Sequence, residues 1–179
     1  MPYSIEEHKH RFASWAASRA ANVNGCRFTV EQGKQILEEA NMNYIAESIS
    51  NLPIPKDFDN SHREWRNNVI RVAENHDLNF THGVAAKLIN IYLKSIYVCG
   101  SKHTDPKIRA IHPPIDSVLL NALYKRNIGG KKSEWQAARK TRWSKLTSTQ
   151  YENVISAIRS VLPDRSGLWQ IEEYWQGYQ

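Results

Sequence analysis

Cysteine is nearly absent from this chain: Cys26 and Cys99 are the only two among 179 residues. They lie far apart and form no CxxC or Cys/His ligand spacing. That indicates neither a zinc site nor a disulfide framework, and predicts buried free thiols in a reducing compartment. Long apolar runs are also missing; none approaches the roughly eighteen residues that a membrane span needs. The first dozen residues carry Glu6, Glu7, His8, Lys9, His10 and Arg11 and so lack the apolar core of a signal peptide. These absences predict a soluble, cytoplasmic protein with no membrane partner. No stretch alternates apolar and polar residues between hairpin turns, so strands are not expected. Internal repeats and low-complexity segments are absent as well, and every part except the extreme ends is expected to be folded.

What is present is an ordinary globular composition with an uneven charge. The hydrophobic fraction of 41% and charged fraction of 23% suit one folded domain over residues 1–179. The Pro/Asp/Asn-rich stretch from Leu52 to Ser61 is a candidate lobe boundary, too short to be a flexible tether. The formal net charge is +6. Residues 101–145 hold 11 Lys and Arg against 3 Asp and Glu, a local net of +8, whereas residues 1–100 balance at 11 against 11. A basic quarter of the chain favours an anionic partner.

Helix signals dominate. Ser4 with Glu7 and Thr29 with Gln32 are capping-box patterns ahead of apolar residues at helical spacing, and Tyr44 to Ile49 reads as a short third helix. Ser61 with Glu64 and Thr149 with Glu152 read as two further helix starts. The run from Val84 to Val98 is apolar nearly all round, the pattern of a central buried helix. Pro113-Pro114 leads into a helix over Ile115 to Tyr124 with Asp116 in its first turn, Trp135 to Arg142 reads as helical and basic, and Leu168 to Trp175 as a short closing helix. The expectation is an all-α fold of roughly eight or nine helices.

Two residues at helix starts carry the candidate chemistry. Lys87, in the first turns of a buried helix, meets both the positive end of the helix dipole and poor solvation, and each disfavours its ammonium form. A lysine neutralised in this way forms Schiff bases. The partner such chemistry needs is a carboxylate that stabilises positive charge growing on a sugar, a role open to Asp116. The bland readings stand beside these: Lys87 as a solvated or snorkelling lysine, Asp116 as a carboxylate satisfying helix N-terminal amides. Lys94, two turns further along on the same side, is a second candidate amine. His82 and His112 read either as acid/base or phosphate-donor groups or as hydrogen-bonding surface residues.

The order Gly83-Val84-x-x-Lys87, buried helix, loop, Pro114-x-Asp116 resembles the helix-hairpin-helix DNA glycosylases, and within them the 8-oxoguanine glycosylases including the archaeal branch, over Phe80 to Leu120. The resemblance implies a two-lobed helical fold and duplex DNA carrying a damaged or modified base as partner. It implies Lys87 as the nucleophile that attacks the sugar C1′, with abasic-site lyase activity through the imine. It further implies Asp116 as the group that assists departure of the base, and a hairpin at Gly83 and Val84 that approaches a DNA phosphate. No metal or cofactor is implied. Two positions depart from the family pattern: Gly83-Val84-Ala85 stands for its Gly-x-Gly, and Thr81-His82 for its Leu-Pro. A non-catalytic helical module that binds nucleic acid or protein is the alternative, and the oligomeric state stays open.

The basic segment contributes Lys125, Arg126, Lys131, Lys132, Arg139, Lys140, Arg142 and Lys145, interleaved with Trp135 and Trp143. Such a mixture fits phosphate contacts with base stacking. It equally fits a solvated helical face whose tryptophans pack inward. Trp15, Trp65, Trp169 and Trp175 are expected in the core.

Overall fold

Capping side chains mark most helix starts. The computed structural model describes residues 3–100 and 103–178; Ser101 and Lys102, both within the basic segment, lie outside the described residues. Ser4 Oγ accepts the Glu7 N–H at the start of α1 (Ile5–Ala21). Thr29 and Gln32 exchange both capping-box bonds at α2 (Val30–Glu39). There follow α3 (Met42–Glu47), α4 (Phe58–Asn75), α5 (His82–Leu93), α6 (Pro106–Arg109), α7 (Ser117–Lys125), α8 (Lys132–Lys140) and α9 (Ser148–Val161). A 3-10 segment, Leu168–Tyr174, closes the fold. Among the described residues there is no strand beyond one isolated bridge between Val23 and Cys26, so the fold is all-α.

The differences from the sequence reading have local causes. α4 begins a turn before Ser61, because a 3-10 turn at Pro55–Asp57 runs straight into Phe58. α9 is capped by Thr147 with Gln150, a T-x-x-Q box two residues ahead of the expected Thr149 and Glu152. α5 leaves α-helical geometry at a π-helical turn, Lys94–Val98, within what reads as one apolar run. Cys26 is buried, but Cys99, just past that turn, is exposed.

Two apolar clusters form around α5. The first joins α1 to α6 and includes Ile36, Leu37, Val69, Val72, Leu88 and Ile89; the second joins α7, α8, α9 and the closing segment around Trp135, Leu119, Leu123 and Ile158. The division falls between Ile111 and Ile115, while the 52–61 stretch contributes Leu52 and Phe58 to the first cluster. α5 serves both, since Val84, Ala85 and Leu88 pack in the first and Ala86 in the second.

Trp15 is not a core residue. It is 51% exposed, because α1 turns its small residues Ala13, Ala17 and Ala21 inward and its large ones outward. The close contact of α1 with α2 explains the choice: a Cβ on Gly33 would lie 2.1 Å from Ser18 Oγ. Large side chains have no room on that face. Trp65 and Trp175 do pack against the cores as expected.

Candidate functional site

Lys87 and Asp116 meet. The Lys87 ammonium nitrogen lies 2.9 Å from Asp116 Oδ2, although 29 residues separate the two in sequence. Lys87 is only 6% exposed, held one turn inside α5; burial pushes its pKa down and the Asp116 carboxylate opposes that shift. Asp116 is the N-cap of α7, its Oδ1 accepting the Leu119 N–H at 2.9 Å, so the cap fixes the carboxylate while its second oxygen turns to Lys87.

The pair is covered. Trp175 donates its indole N–H to the same Asp116 Oδ2, at 2.9 Å, and the Trp143 ring lies 5.3 Å from Lys87 Nζ. Glu172, on the closing segment, pairs with Lys94 one π-turn residue past α5, and burial raises its pKa against the pull of that lysine. Lys94 therefore stands beside Lys87 as the spacing suggests, but in its own ion pair. Surface cavities of about 650 Å³ beside α1, α3 and the π turn and of about 500 Å³ between α8 and α9 are formed by the described residues; neither is lined by Lys87 or Asp116.

Gly83 and Val84 occupy the first turn of α5, both buried, and their amides are spent inside the fold. The Gly83 N–H donates to Leu146 O at 3.3 Å and the Val84 N–H to Thr81 Oγ1 at 3.2 Å. Neither donor is left for a DNA phosphate. The requirement for glycine at 83 is steric: a Cβ would fall 1.9 Å from the Trp143 carbonyl oxygen. The Trp143–Lys145 turn thus sits directly on the start of α5, tied also by Thr81 Oγ1 donating to Ser144 O. Arg142 and Lys145, both exposed, flank that contact.

The basic residues divide into two groups. Lys125, Arg126, Lys132, Lys140, Arg142 and Lys145 are exposed and, among the described residues, lie within 4 Å of no carboxylate. Lys131 is paired with Glu134 within the first turn of α8, and the Arg139 guanidinium lies 4.2 Å from the Tyr124 ring with its Nε donating to Asn121, so Arg139 ties α8 to α7. The interleaved tryptophans pack inward. Trp135 is fully buried with its N–H on Ile128 O, and Trp143 packs against the second cluster.

A polar network that the sequence reading missed crosses between the two clusters. His62, Arg66, Asn90, His112 and Tyr151 are all buried. The bonds form one directed chain: Asn90 Nδ2 donates to Tyr151 OH, which donates to His112 Nδ1, while His112 Nε2 donates to Asp59. On the other side His62 Nε2 donates to Asn90 Oδ1 and His62 Nδ1 accepts from Arg66. Apart from Arg66 Nε, which has no partner among the described residues, every donor of the network finds an acceptor only when both histidines are neutral. Burial lowers both pKa values, for His112 against the opposing pull of Asp59. Arg66 is held by Glu152 at 2.7 Å and by Ser148, and the Arg63 and Arg66 contacts hold the Glu152 carboxyl down at about 2. Of these residues the sequence singled out only His112, which is no surface residue but 2% exposed; His62 and Arg66, one turn apart in α4, carried no signal of burial. His82, at the start of α5, keeps its buried Nδ1 without a hydrogen-bond partner among the described residues.

The chain matches no protein-family model, no curated protein and no solved structure.

Proposed function

We propose that this protein binds duplex DNA and excises a damaged or modified base, as a DNA glycosylase with abasic-site lyase activity of the helix-hairpin-helix type. The observation that carries the reading is the 2.9 Å contact between the buried Lys87 amine and the capped Asp116 carboxylate. Burial supplies the lowered pKa that a nucleophilic lysine needs.

In the reaction the neutral amine bonds to the sugar C1′ as the glycosidic bond breaks. The departing base keeps the bonding electrons and takes up a proton. Asp116 offsets the positive charge that grows on the sugar. Loss of a proton from the new amine and opening of the sugar ring leave an imine; removal of a C2′ proton then expels the 3′ phosphate, and water releases the lysine. The target nucleotide has to leave the duplex, at a cost of a few kcal/mol that damage lowers. The exposed Arg142 and Lys145 beside the start of α5, with Lys125, Arg126, Lys132 and Lys140 on the α7–α8 hairpin, supply the phosphate contacts.

One observation favours a second reading. The pair is sealed by Trp175 and Trp143, so in a non-catalytic nucleic-acid-binding module it would serve to clamp α5 to α7. Borohydride trapping separates the two. With a panel of duplexes carrying oxidised, alkylated and deaminated bases or an abasic site, the enzyme becomes covalently linked to one strand, and Lys87→Gln does not. Binding to the same duplexes with no cross-link on any of them assigns the chain to the module.

A further inference from the structure

Lys87 and Asn90 stand one turn apart on α5, and both hold the same short stretch of chain. Lys87 Nζ pairs with Asp116, and Asn90 Nδ2 donates to Pro113 O, three residues earlier, at 2.9 Å. Asn90 is 1% exposed, and the rest of its amide is spent as well: Nδ2 also donates to Tyr151 OH, and Oδ1 accepts from His62 Nε2. The amide can face only one way, because a proline carbonyl accepts and never donates.

The arm between α6 and α7 needs such a hold. Ile111, His112, Pro113, Pro114 and Ile115 are all buried, yet none of them belongs to a helix. Pro113 and Pro114 carry no N–H, so the arm has no backbone donor at these positions, and the buried Pro113 carbonyl is satisfied from α5 instead. Each proline ring fixes its own φ and restricts the residue before it, which makes the stretch from His112 to Pro114 stiff. Its near end is anchored by His112, bonded to Tyr151 and Asp59. At its far end Asp116 caps α7 through Oδ1, a bond that moves with α7 and so does not place the carboxylate relative to α5. The Asn90 bond does place it, one turn of α5 from the Lys87 amine.

We propose that Asn90 is a positioning residue for the Lys87–Asp116 pair: it pins the stiff Pro113–Pro114 arm to α5, and the arm delivers the Asp116 carboxylate to the Lys87 amine. The role rests on the reading of Lys87 and Asp116 as the reacting groups. Asn90 itself touches neither of them, and acts on their geometry through the Pro113 carbonyl.

Lysine-selective NMR of the full chain follows the ionisation of Lys87, whose signal is identified by its loss in Lys87→Gln. Asn90→Leu is similar in size but has no donor, and Asn90→Ser, the milder change, is too short to reach Pro113 O and carries the test where Asn90→Leu does not fold. In either variant the carboxylate drifts from the amine, and the Lys87 midpoint moves to lower pH, since burial persists while the countercharge recedes. Tyr151→Phe removes the hydroxyl that Asn90 and His112 share but keeps the Asn90–Pro113 bond, and leaves the midpoint where the parent has it. In borohydride trapping on an abasic duplex, Asn90→Ser lowers the cross-linking rate on the order of a hundredfold with duplex affinity kept. A Lys87 midpoint unmoved in Asn90→Ser overturns the proposal. So does an equal displacement in Tyr151→Phe, which marks a general loosening of the network, or a parent that traps no faster than Asn90→Ser. A midpoint displaced only by the Asn90 variants, in a chain that traps on no duplex, upholds the positioning and overturns the glycosylase reading.

Discussion

Asp116 gives one oxygen to the backbone of α7 and the other to Lys87 and Trp175, so substitutions there separate a cap from a charge. Asp116→Asn keeps a good N-cap but leaves Lys87 buried without its countercharge, and should lower stability by about 3 kcal/mol. Asp116→Ala loses the cap as well, about 1 kcal/mol more. Lys87→Met should cost less than either, since Asp116 retains the Trp175 and Leu119 N–H groups. Urea unfolding at pH 7 gives the order; equal midpoints for all three would mean that the pair holds nothing together. The candidate chemistry was legible at this scale only in part. Lys87 and Asp116 stood out because each begins a helix, but Trp175, 59 residues beyond Asp116, gave no sign of its contact.

Among the elements, α9 tests how far capping explains the boundaries. Thr147→Ala should cost about 1 kcal/mol, and Thr149→Ala, one residue inside the helix, no more than about 0.5. Chemical denaturation of the two variants decides which Thr is the cap. The closing segment is anchored by the buried Leu168 and Ile171, while Trp175 reaches the Asp116 carboxylate from its end. Trp175→Ala should therefore leave the anchors in place and uncover Lys87. Labelling of Lys87 by a small amine-reactive reagent, read by peptide mass spectrometry, should rise several-fold over the parent; unchanged labelling would show that the tryptophan does not shield the amine. Helix extents were readable because caps and a 3.6-residue period are local properties. The inward face of α1 was not: a helix with Ala on one side and Phe12 and Trp15 on the other satisfies the period either way, and the close approach of α2 at Gly33 decides which side goes in.

At the scale of the molecule the two clusters are joined through buried neutral histidines, and this gives stability a pH dependence. His62 and His112 have folded pKa values below the ordinary 6.5. The unfolded chain therefore takes up protons first as pH falls. Their contribution is complete above about pH 6.5 and is lost below it, down through the folded values, at up to about 1.4 kcal/mol per pH unit for each histidine. Asp59, which accepts from His112, opposes the loss; Arg66 and Arg159 promote it. Unfolding measured from pH 7.5 to 5 should show this fall, and His62→Gln, which keeps a donor for Asn90, should reduce its slope by about half. A flat profile would mean that neither histidine is neutral in the fold. The proposed DNA binding also belongs to the whole surface. Reversing Lys125, Arg126, Lys132, Lys140 and Arg142, all exposed, should abolish duplex affinity and flatten its salt dependence, whereas reversing Arg139 should first disturb the α7–α8 hairpin that it braces. A filter-binding salt series compares the two variants.

By itself the sequence determined the all-α class, the central buried helix, the basic quarter and the two helix starts that carry Lys87 and Asp116, because period, capping and charge are written in neighbouring residues. Tertiary structure alone decided that those two side chains touch, that Trp175 and Trp143 close over them, that Gly83 makes room for a carbonyl, and that His62, Arg66 and Tyr151 lie inside. Each of these depends on which helix faces meet across tens of residues of chain, and burial of a polar group is permitted only where a distant partner arrives to satisfy it.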